Sequence, residues 1–385
     1  MKKRFLCFTL LMVLILSFTA AAESTLSDMD AVSARMQTMT LEEKVGQLFI
    51  IRVDALDLSQ PVSQVNDAWA EGMLFLSEDM EKALEKYPVG GVVLSGKNIA
   101  DQKQLLSFTR ALKNAGDIPL FIAVDEEGGL VARLANTWSL NLPQYESAMA
   151  VGASGDPKNA QDMGRTIAAY LRVYGFNMDF APVADVFTNP QNTVIGSRAF
   201  ASDAQTVTQM TRAFSDELQK KEIIPVYKHF PGHGDTAEDS HTGLAVSYKT
   251  KEEMLSCEWL PYETLSQYNC VMTAHVATPN VTGHMLPATM SPDILQDVLR
   301  KELGFTGVIL TDSMDMGAIT EAYTPGEAAV QCILAGCDMV LGPENLQEAY
   351  DALLSAVKNG DIPEERIDES VMRILTLKSA YGMLN

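Results

Sequence analysis

A chain of 385 residues, 47% of them hydrophobic, carries enough apolar material for one large core or two modest ones. Its formal charge of −21 makes a polyanion such as nucleic acid a poor partner. Cys257, Cys270, Cys332 and Cys337 form no Cys-x-x-Cys pair, so buried thiols are expected and a structural zinc is not.

The chain opens with Lys2, Lys3 and Arg4, an apolar run over 5–18, and Ala20-Ala21-Ala22. Charge, apolar stretch and small residues in that order make a signal peptide over 1–22, cleaved near Ala22. The run is short for a membrane span. Loss of those three cations takes the charge from −21 to about −24 for residues 23–385. The expected location is secreted or cell-envelope associated, with no stable membrane partner.

Beyond the leader, short apolar runs predict strands at 47–51, 91–94, 120–124, 177–181, 225–230, 270–276, 307–312 and 339–341. Helix-period segments follow most of them, at 101–115, 157–174, 203–221, 292–303 and 346–358, and a last helix is expected over 363–381. Asp156 before Pro157 and Ser291 before Pro292 are helix starts, and Gly304 and Gly360 are helix stops. The segment 53–85, with Trp69 and Phe75, has mixed patterning and takes no assigned element. The loop 231–249 is long, holds several glycines and few apolar residues, and so predicts a functional loop without a helix. Repeated β-then-α order argues for a parallel sheet. Eight units without a Gly-x-Gly-x-x-Gly after the first strand favour a single α/β, (β/α)8 TIM-type barrel over an open doubly wound sheet. No internal repeat is visible, and there is no room for a second substantial domain.

Polar residues collect where the predicted strands end, in Asp125-Glu126-Glu127-Gly128-Gly129, Lys228-His229, Thr273-Ala274-His275 and Thr311-Asp312-Ser313. In a parallel barrel those ends converge on one face. An aspartate after Val-Ile-Leu-Thr is costly beside a core unless it is paired or used. Within the long loop, Asp239 and His241 are two residues apart, which in extended chain points both to one side. The carboxylate would then fix the imidazole tautomer and raise its pKa, leaving the other nitrogen for proton transfer. Spacing alone leaves open a turn-capping Asp239 and a surface His241. A serine hydrolase lacks its Gly-x-Ser-x-Gly. A metal site from His229, His233, Asp235 and His241 lacks His-x-His and His-Glu-x-x-His spacing, and Lys228 would repel the cation. Leu341-Gly342-Pro343-Glu344 is a weak phosphate loop, with one glycine and an acid.

The run Lys228-His229-Phe230-Pro231-Gly232-His233-Gly234 followed by Asp239-Ser240-His241 resembles the signature of glycoside hydrolase family 3 β-N-acetylhexosaminidases. The resemblance extends from about Met36 to the C-terminus. It includes Asp125 to Gly129 with Arg133, Phe180-Ala181-Pro182-Val183-Ala184-Asp185-Val186, Ile195-Gly196-Ser197-Arg198, Met272-Thr273-Ala274-His275 and Leu310-Thr311-Asp312. It implies Asp312 as nucleophile and His241 as acid/base assisted by Asp239. It carries sugar binding to Asp125, Arg133, Arg198, Lys228 and His229, with His275 lining the site. Family 3 β-glucosidases tend to place a Glu acid/base on a second domain, so the Asp-Ser-His favours the hexosaminidase branch. Two positions depart from the pattern. Leu130 stands where an Arg often follows Glu-Gly-Gly, and Ser313 where a second Asp often follows the nucleophile. Asp315 is the nearest competitor of Asp312, beyond the strand end.

The implied reaction is retaining removal of terminal β-linked N-acetylglucosamine from cell-wall muropeptides or chitooligosaccharides, without metal or organic cofactor. Its alternatives are a β-N-acetylglucosaminide phosphorylase, a family 3 β-glucosidase, and a non-catalytic sugar-binding protein.

Overall fold

The computed structural model describes residues 30–237, 240, 243–263 and 265–384. The leader expected over 1–22 and the Asp239–His241 pair lie outside them. Thr40 and Glu43 close a reciprocal capping box that starts the helix Leu41–Gln47. Gln47 therefore ends a helix instead of opening the first strand, which is β1, Phe49–Arg52. The other barrel strands are β2 (Gly91–Val93), β3 (Phe121–Val124), β4 (Met178–Asp179), β5 (Ile224–Phe230), β6 (Cys270–Thr273), β7 (Val308–Thr311) and β8 (Val340–Leu341).

These strands pair in the order β7-β6-β5-β4-β3-β2-β1-β8, every pair parallel. A parallel bridge from Leu310 to Met339, with Thr311 N 3.0 Å from Met339 O, joins β7 to β8 and completes the ring. The architecture is a (β/α)8 TIM-type barrel. Strands in such a ring are covered on both faces, which is why they read as short apolar runs without polar alternation.

Two of the expected strands are shortened by three residues each. The run over 270–276 leaves the barrel after Thr273, and Val276–Ala277 pairs instead with Ala245–Val246. The run over 177–181 keeps only Met178–Asp179 in regular pairing, because Pro182 has no N–H for the ladder.

Asp101, Asp156 and Asp203 accept backbone N–H bonds at the starts of Gln102–Lys113, Pro157–Val173 and Ala204–Gln219. Gly360, at φ +82°, ends Leu346–Asn359, and Gly304, at φ +70°, follows Asp293–Glu302. Ser291 does not cap that helix with its side chain as expected; Ile294 N and Leu295 N reach its carbonyl at 3.2 and 3.0 Å.

Residues 53–85 form a tight turn, Val53–Leu56, and two helices, Val62–Asn66 and Glu78–Lys86. The buried Asp54 carboxylate anchors them, accepting from Met73 N at 2.8 Å and Asn98 Nδ2 at 3.1 Å. The described part of the 231–249 loop contains no helix. Cys270, Cys332 and Cys337 are buried free thiols and Cys257 is half-buried. No helix among the described residues is long and apolar enough to cross a membrane.

Candidate active site

The strand C-termini open into a pocket of about 450 Å³. Its first wall is the chain leaving β3. Extended backbone alternates sides, so Asp125 and Glu127 line the pocket while Glu126 turns into the barrel wall. There Glu126 accepts from Leu134 N (2.8 Å), Ala135 N (2.9 Å) and the Tyr170 hydroxyl (2.7 Å). Those bonds pin the hairpin in which Glu126–Gly128 faces Val131–Ala132. The same turn brings Arg133 Nη2 to 3.7 Å from Asp125 Oδ2.

The second wall comes from β5. Lys228 and His229 are adjacent yet both line the pocket; the register of β5 against β6 shifts between Lys228 and Phe230. Lys228 Nζ donates to Asp125 Oδ1 at 2.8 Å and to Glu127 Oε1 at 2.7 Å. Arg198 grips Glu127 with two bonds, Nε to Oε2 at 2.9 Å and Nη2 to Oε1 at 2.8 Å.

His229 is oriented from behind. Its Nδ1 lies 2.6 Å from Asp185 Oδ2, and Arg198 Nη2 approaches Nε2 at 3.4 Å. A carboxylate only accepts, so His229 Nδ1 carries a proton and donates it to Asp185. The other Asp185 oxygen accepts from His233 N at 2.6 Å, and His233 Nε2 meets the Ser240 hydroxyl at 2.8 Å.

Asp312 follows β7 directly, with its N–H on Thr273 O (2.8 Å) and its Oδ1 accepting from Ser313 N (2.7 Å). Burial pushes its carboxyl upward, but the positive fields of His229 and His275 and the Ser313 N–H outweigh it and hold Asp312 below the usual carboxylate range. Asp125 behaves alike, with burial overcome by Lys228 and Arg133. So does Glu127, with burial overcome by Arg198 and Lys228. In Asp185 the burial is overcome by His229. Burial lowers Lys228, yet Asp125 and Glu127 more than restore it. The pocket thus presents ionised carboxylates and protonated cations interleaved, a donor–acceptor surface suited to hydroxyl-rich ligands.

Of the residues singled out in the sequence, Asp125, Arg133, Arg198, Lys228, His229 and Asp312 meet in this one pocket. His275, expected to line it, stands behind its wall. Its side chain is wholly buried, with Nδ1 2.8 Å from Thr289 Oγ1 and Nε2 3.0 Å from Ser313 O. It supports the Asp312–Ser313 turn because β6 ends at Thr273 and carries residue 275 out of the ring. Asp239 and His241 fall outside the described residues, though Ser240 between them lines the pocket.

Leu130 is 77% exposed, so the missing arginine leaves no gap in the buried network. Ser313 bridges to Asp315, 2.6 Å from its Oδ1, while Arg52 holds the other oxygen at 2.6 Å. Asp315 is thereby engaged in an ion pair.

Glu127, Asp185 and Arg52 were missed as site residues, and Asp315 was weighed only as a competitor of Asp312. Glu127 was within reach of reasoning, since it shares a face with Asp125. Asp185 carried the same signal as Asp312, an acid closing an apolar run. Arg52 and Asp315 meet across the β1–β7 side of the ring, which spacing cannot show.

The Glycosyl hydrolase family 3 N terminal domain matches residues 40–377. Beta-hexosaminidase A of Pseudoalteromonas piscicida is 32% identical over 337 residues, covering 80% of this chain and 56% of that protein. Beta-hexosaminidase LpqI of Mycobacterium tuberculosis is 33% identical over 314 residues, 78% of each chain. The structure of a family 3 beta-N-acetylglucosaminidase from Paenibacillus sp. superposes with a TM-score of 0.81 at 36% identity, covering 90% of this chain and 63% of that one. The chain therefore spans under two thirds of the length of the Pseudoalteromonas protein and of the Paenibacillus structure.

Proposed function

We infer the reaction from kinship, since the chain belongs to glycosyl hydrolase family 3. The reading is a retaining β-N-acetylhexosaminidase that releases terminal β-linked N-acetylglucosamine from muropeptides or chitooligosaccharides. One observation carries it: Asp312 is an electrostatically ionised carboxylate at the end of β7, in a pocket whose other walls offer paired donors and acceptors.

Asp312 attacks the anomeric carbon as the glycosidic C–O bond breaks, and His241 gives its proton to the departing oxygen. Water then attacks the same carbon, His241 takes the water's proton, and Asp312 is released. Asp239 stabilises the imidazolium that gives up its proton in the first step and forms again when water is deprotonated in the second. Asp125, Glu127, Lys228, Arg198 and His229 hold sugar hydroxyls, and Arg133 reaches the pocket from its rim. The assignments to His241 and Asp239 rest on the sequence. The 1–22 leader would export the barrel formed by 23–385 to where such glycans occur.

The test is release of 4-nitrophenol from its β-N-acetylglucosaminide and its β-glucoside, with Asp312→Ala as control. Preference for the first, reduced about a thousandfold or more in the variant, is expected. Preference for the glucoside would overturn the substrate class. Turnover surviving in Asp312→Ala would overturn the nucleophile. Phosphorolysis is the second reading, because Arg52 and Arg133 leave 27% and 41% of their side chains exposed as donors for an incoming phosphate. It predicts a sugar 1-phosphate formed faster than the free sugar in phosphate buffer.

A further inference from the structure

The loops leaving β1, β2 and β3 carry two indoles that bury almost nothing. Trp69 and Trp138 are each 94% exposed. A tryptophan left in water forgoes its apolar burial, so one such ring on a firmly held backbone is unusual and two on neighbouring loops more so.

Both backbones are firmly held. Lys97, on the β2 loop, donates its Nζ to Val65 O at 2.8 Å and Asp67 O at 3.0 Å, which fixes the chain entering Trp69. Trp69 N is bound to Asp67 Oδ1 at 2.8 Å. On the other side, Ser139 Oγ donates to Ala100 O at 2.6 Å, and Thr137 Oγ1 to Arg133 O at 2.7 Å. The β2 loop thus ties the two tryptophan loops together on one face of the barrel.

Both loops also reach the pocket. Asn66, three residues before Trp69, lines it, and so does Arg133, five residues before Trp138. Leu130, 77% exposed beside the pocket-lining Val131, adds apolar surface on the same hairpin.

We propose that Trp69 and Trp138 form an aromatic platform at the pocket mouth for the leaving-group side of a β-linked oligosaccharide. A β-linked pyranose has axial C–H bonds on its faces, and these pack on an aromatic ring while the equatorial hydroxyls stay in water. The pocket takes the terminal sugar, and the platform takes the rings beyond the scissile bond. Flat, exposed indoles suit a chain of repeated rings better than a single compact group. The ligand class rests on the glycosidase reading; the platform rests on exposure and placement.

The test compares the wild-type chain with Trp69→Ala, Trp138→Ala and the double variant. The substrates are the 4-nitrophenyl β-N-acetylglucosaminide, with one sugar ring, and the β-1,4-linked N-acetylglucosamine tetramer. The ratio of kcat/KM on the tetramer to kcat/KM on the aryl glycoside is expected to fall about tenfold in the double variant. An unchanged ratio overturns the platform while leaving the activity intact.

A second readout needs no turnover. The protein has three tryptophans, and Trp259 is buried with its Nε1 on Pro231 O. A change in indole emission that sugar induces and the tryptophan variants abolish therefore reports Trp69 and Trp138. In Asp312→Ala, the tetramer should shift that emission and the free monosaccharide should not, and the shift should vanish in the tryptophan variants. If the wild type cleaves neither substrate but the shift persists, the glycosidase reading fails and the platform stands. Sedimentation showing that the variants dissociate a dimer, with the ratio unchanged, would assign the face to a second copy and overturn the proposal.

Discussion

Lys228 sets the charge state of the pocket. Its side chain is buried, and a lone ammonium there would be costly. Asp125 and Glu127 make it favourable; in return it is the main charge keeping Asp125 ionised and, after Arg198, helps keep Glu127 so. Single-residue chemistry can be dissected further at His241. In His241→Ala, substrates with poor leaving groups should lose about a hundredfold or more in kcat/KM, while activated aryl glycosides lose far less, because only the former need a proton on the departing oxygen. Equal losses on both would remove His241 as the acid. Asp312, Lys228 and Asp125 were legible because each is a charge closing an apolar run. The same signal at His275 marks a buried side chain held by Thr289 and the Ser313 carbonyl.

At the scale of elements, the site depends on how the β5 loop is wedged against the β4 loop. His233 N binds Asp185 Oδ1, Asn189 N binds Gly234 O at 3.1 Å, and Asn192 Nδ2 binds His233 O at 2.7 Å. A Cβ on Gly234 would lie 2.0 Å from Val186 O, a backbone atom that cannot yield cheaply. Gly234→Ala should therefore cost about 1–3 kcal/mol in urea unfolding. It should also lower kcat/KM about tenfold or more by displacing the pocket-lining His233 and the chain that follows it. Unchanged stability with unchanged activity would mean the loop accommodates the methyl. The long 231–249 loop was readable from its glycines and sparse apolar residues. Its parallel pairing of 245–246 with 276–277 was not, since two-residue strands leave no period to read.

Across the whole molecule, the last helix locks the opposite end of the barrel. Lys378, on Glu364–Ala380, is fully buried. It donates to Gln47 Oε1 at 2.6 Å and Gly90 O at 3.0 Å, and its ammonium sits 4.8 Å from the Phe121 ring centre. Burial pulls its pKa down to about 7 from the ordinary 10.5. Between those values the unfolded chain keeps the proton and the folded chain does not, so this group makes stability rise with pH; below about pH 7 both states are protonated and its contribution is constant. Lys378→Met removes the group. The stability of the wild type relative to the variant should therefore rise by about 2 kcal/mol between pH 7 and pH 9, as read by urea unfolding at both values. A flat difference would show that Lys378 stays protonated in the fold.

The sequence by itself determined the barrel, its eight strands, most helix ends and the chemical character of the site. Those features follow from local order, in which apolar runs, caps and the charges that end each run are written next to one another. Only the tertiary structure decided which charges neutralise which. Lys228 lies 103 positions from Asp125, and Arg198 lies 71 from Glu127. It also decided that His275 backs the wall and that Arg52 engages Asp315. Closing the ring brings the ends of distant strands within hydrogen-bond range, and the depth of each side chain then fixes its partners. Neither quantity is contained in spacing along the chain.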